Sequence, residues 1–408
     1  MLCPAETPYK LPDMPEPSSH LIPVFNRQPL SFQTGQGVWL MDTQGRRYLD
    51  ALSGIAVCGM GHAHPKICDA VNQQVNRLWH TSNLYSIEWQ HLAGEKLCAF
   101  SGMDQVFYAN SGAEANEAAL KLARRRAHDQ GKTRPKVIVM EGAFHGRTLL
   151  TLSATANAGV RDGFYPLDND FVRVPFGDTQ AIQQICEQDT DICAVFLEPI
   201  QGEGGIRFAP QGLKFLEEVA QICEQYDLLF MLDEIQTGNG RTGKPYAYQH
   251  TSVKPDVLTT AKGLANGFPA GACLVSNKAL GVFGVGAHGS TYGGTPLQCC
   301  AIHATLSAIE EEQAVQNAHD IGQWMKDQFQ ARLPADCMVR GLGLMIGVEL
   351  PVNCAELVNT ARDEHHLLLN VTAGKVIRLL PPLITNHEQA EQIVSSVCQM
   401  VIKFLDNA

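Results

Sequence analysis

The clearest structural signal in the chain is an unbroken apolar run over residues 228–232, Leu-Leu-Phe-Met-Leu. A run of this length bounded by turn residues is typical of a strand that is buried on both faces of a parallel sheet. The run passes directly into Asp233, and a second short run, Val257–Leu258, is soon followed by Lys262. Open α/β sheets bind ligands just beyond the carboxyl ends of their strands. Asp233 and Lys262 are therefore both predicted to lie where chemistry takes place.

A carboxylate and an amine at neighbouring strand ends have two interpretations. Asp233 and Lys262 form a simple internal ion pair, or they hold the two ends of a cofactor that carries both a basic ring nitrogen and an aldehyde. The rest of the chain decides between the two.

Helical periodicity alternates with short apolar runs from about residue 90 to residue 280. The spacing predicts helices over 88–100, 112–128, 178–188 and 212–226. The apolar runs predict strands at 106–108, 137–140, 194–197, 228–232, 257–258 and 272–275. Alternation of this kind predicts a mostly parallel sheet sandwiched by helices.

The pattern changes towards both ends of the chain. Many prolines over residues 1–23 indicate an extended arm, and residues 37–50 are predicted to form a hairpin. Towards the C-terminus the pattern predicts helices at 296–312, 313–332 and 354–366 and strands at 344–350 and 376–380. The last helix begins at Asn386, where Gln389 completes a capping box.

These patterns together predict an α/β protein in three segments. Residues 1–60 form an N-terminal arm and hairpin that join the small domain. Residues 61–312 form the large domain, and residues 313–408 form the C-terminal part of a smaller α+β domain.

Composition excludes several classes of partner. The formal net charge is -11 and the pI is near 5.7, so the surface repels nucleic acid and anionic membranes. The 13 cysteines are scattered and form no C-x-x-C pair, which suits a reducing compartment and not a disulfide framework. The chain shows no secretory signal and no long apolar span. These features predict a soluble cytoplasmic protein.

Motifs for metals and nucleotides are incomplete. His62 and His64 have no third ligand at a useful spacing, so we expect no metal site. Residues 238–244 match a P-loop up to its lysine, but Pro245 stands where Ser or Thr must bind magnesium. Residues 341–347 have the wrong spacing, and the wrong following element, for a dinucleotide fingerprint.

Three further strand ends carry candidate ligand-binding residues. Asn110–Glu117 opens a helix, where small residues, free N–H groups and the helix dipole favour a phosphate; an ordinary capped helix is the alternative. Phe144 is suited to stack on a flat ring and Arg147 to bind a carboxylate, unless they are a core Phe and a surface Arg. Glu198–Gly205 is another polar, glycine-rich strand end. Four such ends on one edge of a sheet indicate a site more strongly than any one of them.

Taken in this order, the motifs resemble those of the class III aminotransferases, which depend on pyridoxal phosphate (PLP). The resemblance runs from about Val38 to the C-terminus and is strongest to the acetylornithine aminotransferases. It rests on the stretches 110–117, 144–148, 198–205, 233–236, 261–263 and 290–294. It implies the PLP fold type I, with a large domain around a mostly parallel sheet and a smaller α+β domain from the N- and C-terminal segments. It also implies a homodimer in which each active site is completed by the other subunit.

The resemblance assigns the cofactor contacts by matching position. Lys262 would bind the PLP aldehyde, Asp233 would pair with the pyridine nitrogen and keep it protonated, and Gln236 would contact the ring hydroxyl. Phe144 would stack on the ring. The phosphate would be held by Ser111, Gly112, Ala113 and, from the neighbouring subunit, Thr291. Asp233 and Lys262 would then face opposite ends of one ring without a direct salt bridge. Lys262 would also need a pKa below its usual value of about 10.4 to act as a base.

The resemblance also implies how substrates bind. Arg147 and Arg378 would bind substrate carboxylates, and Ser290 of the neighbouring subunit would contact the substrate. Glu203 matches a glutamate that masks an arginine in one half-reaction. Ile55 stands where ornithine aminotransferases tend to have Tyr, which favours an N-acylated substrate.

Three residues depart from those commoner in the family. Phe25 replaces Tyr, and Thr295 and Gln298 replace Asn and Ala. Thr295 and Gln298 are expected to lie near the subunit interface and to leave the chemistry intact.

The predicted reaction is transfer of the terminal amino group of N2-acetylornithine to 2-oxoglutarate, a step of arginine biosynthesis that gives N-acetylglutamate 5-semialdehyde and glutamate. Succinylornithine, succinyl-diaminopimelate, ornithine and 4-aminobutyrate are alternative amino donors. A PLP aminomutase or decarboxylase of the same fold is an alternative of another class. A binding protein, with Asp233 and Lys262 as an internal ion pair, is a third.

Overall fold

A central seven-stranded sheet and two smaller sheets organise the protein. The computed structural model describes residues 20–407. Its strands, in chain order, are β1 (Phe32–Gln36), β2 (Trp39–Asp42), β3 (Arg47–Asp50), β4 (Gln105–Ala109), β5 (Lys136–Met140), β6 (Phe171–Val174), β7 (Ile192–Leu197), β8 (Leu229–Asp233), β9 (Val257–Thr260), β10 (Gly271–Val275), β11 (Met338–Leu342), β12 (Met345–Glu349), β13 (Leu367–Leu368), β14 (Asn370–Thr372) and β15 (Val376–Leu379).

Helices surround these strands. They are α1 (Ser53–Ala56), α2 (Pro65–Val75), α3 (Glu88–Ser101), α4 (Gly112–Asp129), α5 (Leu149–Ala154), α6 (Ala158–Arg161), α7 (Thr179–Gln188), α8 (Lys214–Gln225), α9 (Pro296–Glu311), α10 (Ala314–Arg332), α11 (Leu357–His365) and α12 (His387–Leu405). Short 3₁₀ turns lie at Ala247–His250, Lys262–Ala265 and Asn277–Ala279. Most of the predicted arm, residues 1–19, lies outside the described residues.

The central sheet has the strand order β4-β10-β9-β8-β7-β5-β6. The strands from β9 to β6 run parallel, and β10 is antiparallel to both of its neighbours. Alternate residues of β5 enter two different core clusters, with Ile138 and Met140 in one and Val137 and Val139 in the other. Both faces of the sheet are therefore covered, and the prediction of a mostly parallel sheet sandwiched by helices is confirmed.

The sequence pattern did not predict β6, because β6 is an edge strand. Its two middle residues, Val172 and Arg173, are only half-buried, so it has no continuous apolar run. The short strands β13 and β14 were missed for a related reason, since two or three residues show no periodicity.

Two four-stranded sheets, β1-β2-β3-β13 and β11-β12-β15-β14, form the rest of the β-structure. β13 pairs in parallel with β3, where Leu367 lies opposite Leu49. The N-terminal hairpin is thus joined to the C-terminal part of the chain, as predicted. The capping box of α12 is also present, because Asn386 Oδ1 accepts from the Gln389 N–H at 2.9 Å and the Asn386 N–H donates to Gln389 Oε1 at 3.0 Å. The domain boundaries near residues 60 and 312 stay a prediction.

Helix α9 supports the site from behind. Most of its residues are buried, which fits a segment without charged side chains before Glu310. It packs against α2, α3 and the 3₁₀ turn that begins at Lys262. Across residues 20–407, no helix has the length and apolarity needed to cross a membrane.

His62 and His64 each face one carboxylate. His62 Nε2 lies 2.8 Å from Asp50 Oδ2, and His64 Nε2 lies 2.7 Å from Glu312 Oε1. Asp50 also accepts the backbone N–H groups of Leu52 and Ser53, so its bond to His62 ties the end of β3 to the turn before α2. Within the described part of the chain, no cluster of His, Cys, Asp and Glu is arranged to hold a metal ion.

The His62–Asp50 bond should make stability depend on pH. The hydrogen bond that His62 donates to the Asp50 carboxylate raises the pKa of His62 to about 9, above its value of about 6.5 in an unfolded chain. This contribution is complete below about pH 6.5 and is lost as the pH rises through about 9. We expect His62→Gln to lower the free energy of unfolding by about 2 kcal/mol at about pH 6, and by much less at about pH 10.

Urea unfolding of both proteins at the two pH values measures this difference. The matched control repeats the substitution in an Asp50→Asn background, where the effect of His62→Gln should depend on pH much less, because only the smaller contribution of Cys58 to the raised pKa of His62 remains. An equal loss at both pH values in the Asp50 protein would contradict the prediction.

Candidate active site

A cavity of about 340 Å³ opens at the carboxyl ends of the parallel strands. Its walls bring together residues from separate strand ends, as the sequence predicted. They include Gly112 and Ala113 after β4, Phe144 after β5, Glu198 and Glu203 after β7, Asp233 and Gln236 at the end of β8, and Lys262 after β9.

Asp233 is the most constrained side chain in the cavity. It is 4% exposed, and its Oδ2 accepts from Asn116 Nδ2 at 2.8 Å and lies 2.8 Å from His145 Nδ1. Among residues 20–407, its Oδ1 accepts only the backbone N–H of Ile235, at 3.1 Å. Three donors thus fix the carboxylate, and Oδ1 retains capacity for a further donor from the cavity.

His145 and Asn116 are held in turn. The His145 ring stacks on Phe196, with centroids 4.3 Å apart, and Asn116 Oδ1 accepts from Thr259 Oγ1 at 2.6 Å. Asn116 also donates to the His145 carbonyl at 2.7 Å. These buried bonds fix one orientation of Asp233, while His145 Nε2 has no partner among the described residues.

Lys262 begins the 3₁₀ turn after β9 with φ of 47°. Burial lowers the pKa of its amine below the usual value, in the direction that base chemistry requires. Among the described residues the ion-pair partner of Asp233 is His145, and none joins Asp233 to Lys262. A simple internal ion pair between the two is therefore not what the structure has.

The start of α4 is built for close approach. Ser111 caps the helix, since its Oγ accepts from the Glu114 N–H at 3.2 Å. A Cβ at Gly112 would lie 2.7 Å from Ile235 Cδ1, so a larger residue would require Ile235 to move. The N–H groups of Gly112 and Ala113 have no partner within the helix and border the cavity, which suits an anion.

Gln236 gives an independent test of what the cavity holds. Its Oε1 is buried and has no hydrogen-bond partner within the described residues. A buried acceptor without a donor is costly unless a ligand supplies one. PLP fits the complete set of groups, because it offers a hydroxyl to Gln236, a ring nitrogen to Asp233, a flat ring to Phe144 and a phosphate to α4.

Glu198 fixes the position of Phe144. Its Oε1 accepts the Phe144 N–H at 2.9 Å, and its Oε2 accepts the Gly202 N–H at 3.1 Å. Burial raises the pKa of Glu198 to about 7. The carboxyl group therefore connects the loop after β5 to the loop after β7.

Two arginines lie beside the cavity in different environments. Arg378, on β15, is fully buried and donates from Nη1 to Glu203 Oε1 at 3.0 Å. Arg147 is exposed, and its guanidinium carbon lies 5.7 Å from the centre of the Phe144 ring. Both positions suit the binding of a substrate carboxylate.

Comparison with known proteins identifies the family. The family model described as Aminotransferase class-III matches residues 24–401. The chain belongs to the class III aminotransferases.

Individual relatives agree with this assignment. The acetylornithine aminotransferase of Nitrosomonas europaea is 50% identical over 392 residues, which cover 95% of this chain and 99% of that protein. A solved structure of the ornithine aminotransferase from Toxoplasma gondii, described as having partial occupancy of PLP at its active site, matches with a TM-score of 0.89 at 30% identity, covering 94% of this chain and 92% of that one. The acetylornithine aminotransferase of Elizabethkingia anophelis matches with a TM-score of 0.82 at 30% identity, covering 94% and 96%.

Ser290 and Thr291 lie outside the cavity of this aminotransferase chain. Ser290 Oγ accepts from Asn110 Nδ2 at 3.1 Å and from the Gly293 N–H at 2.9 Å, and Thr291 is exposed. A single chain does not bring them to its own cofactor site, and their service to a second subunit stays a prediction.

Two of the three departures from commoner family residues, Thr295 and Gln298, have structural roles. Thr295 caps α9. Gln298 is buried; its Oε1 accepts the Gly294 N–H at 2.6 Å, and its Nε2 donates to the carbonyls of Ala109 and Pro269 at 2.9 and 3.1 Å. Gln298 thus fastens the loop that carries Ser290 to the end of β4. Phe25 is exposed and does not border the cavity.

Sequence reasoning gave no role to three residues of the site, although each lies in a stretch that it singled out. Glu198 and His145 follow β7 and β5, so the rule that strand ends carry chemistry could have found them. Asn116 gives no such signal. It lies one helical turn after Gly112, and only the packing of α4 on the sheet brings it to Asp233.

Proposed function

We propose that this class III aminotransferase transfers the terminal amino group of N2-acetylornithine to 2-oxoglutarate, giving N-acetylglutamate 5-semialdehyde and glutamate in arginine biosynthesis. The observation that carries the proposal is the Arg378–Glu203 pair, whose glutamate lines the cavity. The name of the Nitrosomonas europaea relative supports the choice of amino donor.

PLP is the cofactor, and each cavity residue would contact a different part of it. Lys262 would take the aldehyde, Asp233 the ring nitrogen, Gln236 the ring hydroxyl, and Phe144 the ring face. Ser111, Gly112 and Ala113 at the start of α4 would take the phosphate. When bound, PLP supplies an electron sink that stabilises negative charge on the substrate carbon.

The chain's own groups supply the proton chemistry. Lys262 Nζ acts as the base, because burial favours its neutral form and a neutral amine can accept a proton from the substrate carbon and return it. Asp233 Oδ1 keeps a proton on the ring nitrogen, since its carboxylate is held by Asn116, His145 and the Ile235 N–H.

The two substrates require different charges beside the reacting carbon, and the Arg378–Glu203 pair can provide both. In 2-oxoglutarate the reacting carbon is next to a carboxylate, so a cation must lie beside the reaction centre. In acetylornithine the reacting amine has no carboxylate beside it, and a bare buried arginine there would be costly. Glu203 pairs with Arg378 in the structure, and its side chain is 44% exposed, so it can leave when the keto acid arrives. Arg147 would bind the remaining carboxylate of either substrate.

Ile55 favours an acylated donor. It borders the cavity and offers no acceptor to a free α-ammonium group. Its φ of 65° is unusual for a β-branched residue and is maintained by the surrounding packing. An acetylated nitrogen carries no charge and needs no such acceptor.

We further propose a cytoplasmic homodimer in which each subunit contributes Ser290 and Thr291 to the active site of the other. Leu84, which follows Asn83, and Tyr292, within the loop itself, are exposed apolar side chains, and the His80 ring lies 5.5 Å from the Tyr292 ring. Asn83 donates to the carbonyls of Ser290 and Gly293, at 3.2 Å each, so the patch and the loop form one surface. The cytoplasmic location is supported by the twelve described cysteines, which are all free.

A panel of half-reactions tests the proposed donor. The PLP-loaded protein is mixed separately with acetylornithine, succinylornithine, ornithine and 4-aminobutyrate, and the loss of its visible absorption is timed. We expect acetylornithine to react fastest and ornithine at least about tenfold more slowly, which is the discrimination that one unpaired polar group provides.

The matched control is Ile55→Tyr, which should reduce the difference between the half-reaction rates of acetylornithine and ornithine. A wild-type protein that prefers ornithine would refute the assignment. Sustained turnover without 2-oxoglutarate would instead support an aminomutase or decarboxylase.

A further inference from the structure

Residues of strand β14 form hydrogen bonds to both Arg378 and Glu203. Asn370 lies opposite Arg378 in the β14–β15 register, and its Oδ1 accepts from Arg378 Nε at 3.1 Å. Two residues on, Thr372 Oγ1 donates to the backbone carbonyl of Glu203 at 2.5 Å. One three-residue strand therefore fixes the guanidinium by its Nε and the glutamate by its backbone.

The two partners of Arg378 differ in how easily they can leave. Glu203 holds Nη1 with a side chain that is 44% exposed, whereas the Arg378 side chain is 1% exposed. Thr372 holds the Glu203 backbone, so only the carboxylate needs to swing away. Asn370 stays on Nε when Glu203 leaves, because its strand is paired to β15.

The position of this bond determines which edge of the guanidinium faces the ligand. Arginine binds a carboxylate with two parallel N–H bonds, along either its Nε–Nη edge or its Nη1–Nη2 edge. With Nε occupied by Asn370, only the Nη1–Nη2 edge remains open once Glu203 has left. The incoming carboxylate is thereby oriented as well as attracted.

We propose that Asn370 is a positioning residue for the keto-acid half-reaction, which fixes the Nη1–Nη2 edge of Arg378 towards the substrate carboxylate. The proposal rests on the proposed function, in which Arg378 binds 2-oxoglutarate. It predicts that replacing Asn370 weakens binding of the keto acid and leaves the reaction of the amino donor unchanged, since Glu203 occupies Arg378 while the donor reacts.

The chemistry of an amide suits this role. A carboxylate at position 370 would hold Nε as well, but it would neutralise the guanidinium and weaken its attraction for a substrate anion. An apolar side chain of similar size would leave a buried N–H without an acceptor and the guanidinium free to rotate. Asparagine fixes the orientation and leaves the charge in place.

Binding of glutarate, a dicarboxylate without a reactive keto group, tests the proposal without turnover. The dissociation constant of glutarate is measured from the spectral change of the PLP-loaded protein for the wild type, Asn370→Leu and the isosteric Asn370→Asp. We expect both variants to bind glutarate about tenfold more weakly, the usual effect of losing one bond to a charged group. The KM for 2-oxoglutarate should rise equally, while the rate of the acetylornithine half-reaction stays within about twofold.

Val371→Ala is the matched control, because it alters the same strand without touching Arg378. It should leave glutarate binding unchanged. Either Asn370 variant binding glutarate as tightly as the wild type, or slowing both half-reactions equally, would overturn the proposal. A wild-type protein that fails to react with acetylornithine would instead refute the proposed function, so the two failures can be told apart.

Discussion

Replacing Lys262 by Ala should lower the rate of transamination by on the order of 10⁴-fold, the upper range for loss of a positioned base. Lys262 would bind the aldehyde of PLP and carry the proton to and from the substrate carbon, so its loss removes two functions at once. The other acidic groups of the cavity are already engaged: Asp233 is held by Asn116, Glu198 accepts the backbone N–H groups of Phe144 and Gly202, and Glu203 pairs with Arg378.

Three measurements follow this change. Activity should fall, the visible absorption that depends on the lysine should disappear, and the melting temperature of the PLP-free protein should change little. Lys254→Ala is the control, since Lys254 pairs with Asp104 at 3.0 Å on the surface, far from the cavity wall. A Lys262→Ala protein that kept more than about a hundredth of the activity would be incompatible with a base at this position.

The fold was largely predictable where burial produces a recognisable pattern of apolar residues in the sequence. β8 and β7 are apolar at almost every residue because both their faces are covered, and the polar residues after them mark the site. The edge strand β6 and the short strands β13 and β14 carry no such trace. Their pairing is decided by neighbours that lie far away in the sequence, such as Leu49 opposite Leu367.

The sequence predicted which residues meet in the cavity, but not the residues that hold them in place. Asp233, Lys262 and Phe144 follow strands, so their convergence comes from sheet topology alone. Asn116 and Asn370 become visible only when their hydrogen bonds to Asp233 and Arg378 are known. Ser290 and Thr291 are a third case, because one chain does not bring them to its cavity and the resemblance alone assigns them to a second subunit.

Replacing Asp233 by Asn should have the second largest effect, a loss of about 10²- to 10³-fold in rate. The surrounding donors determine how the new amide is oriented. Asn116 Nδ2 and His145 Nδ1 both face the Oδ2 position at 2.8 Å, so the amide oxygen must lie there and the NH₂ group must lie at the Oδ1 position. That NH₂ would donate to an unprotonated ring nitrogen, where the carboxylate had accepted from a protonated one. Removing one member of a buried charge pair costs about 3–5 kcal/mol, and the lower part of that range, about 3–4 kcal/mol, corresponds to the expected loss in rate.

The decisive comparison is with Asp256→Asn, a substitution in another buried aspartate of the same sheet. Asp256 precedes β9 and accepts the Phe230 N–H at 2.8 Å, so its replacement should cost stability and leave PLP binding unchanged. Asp233→Asn should behave in the opposite way, with weaker PLP binding, an altered visible spectrum and slow single turnovers in a protein of nearly normal stability. If both variants lost only stability, or if Asp233→Asn kept its rate within about threefold, Asp233 would be a structural residue of the sheet. The network of Asn116 and His145 would then serve to stabilise a buried carboxylate and not to hold a charge at the ring nitrogen.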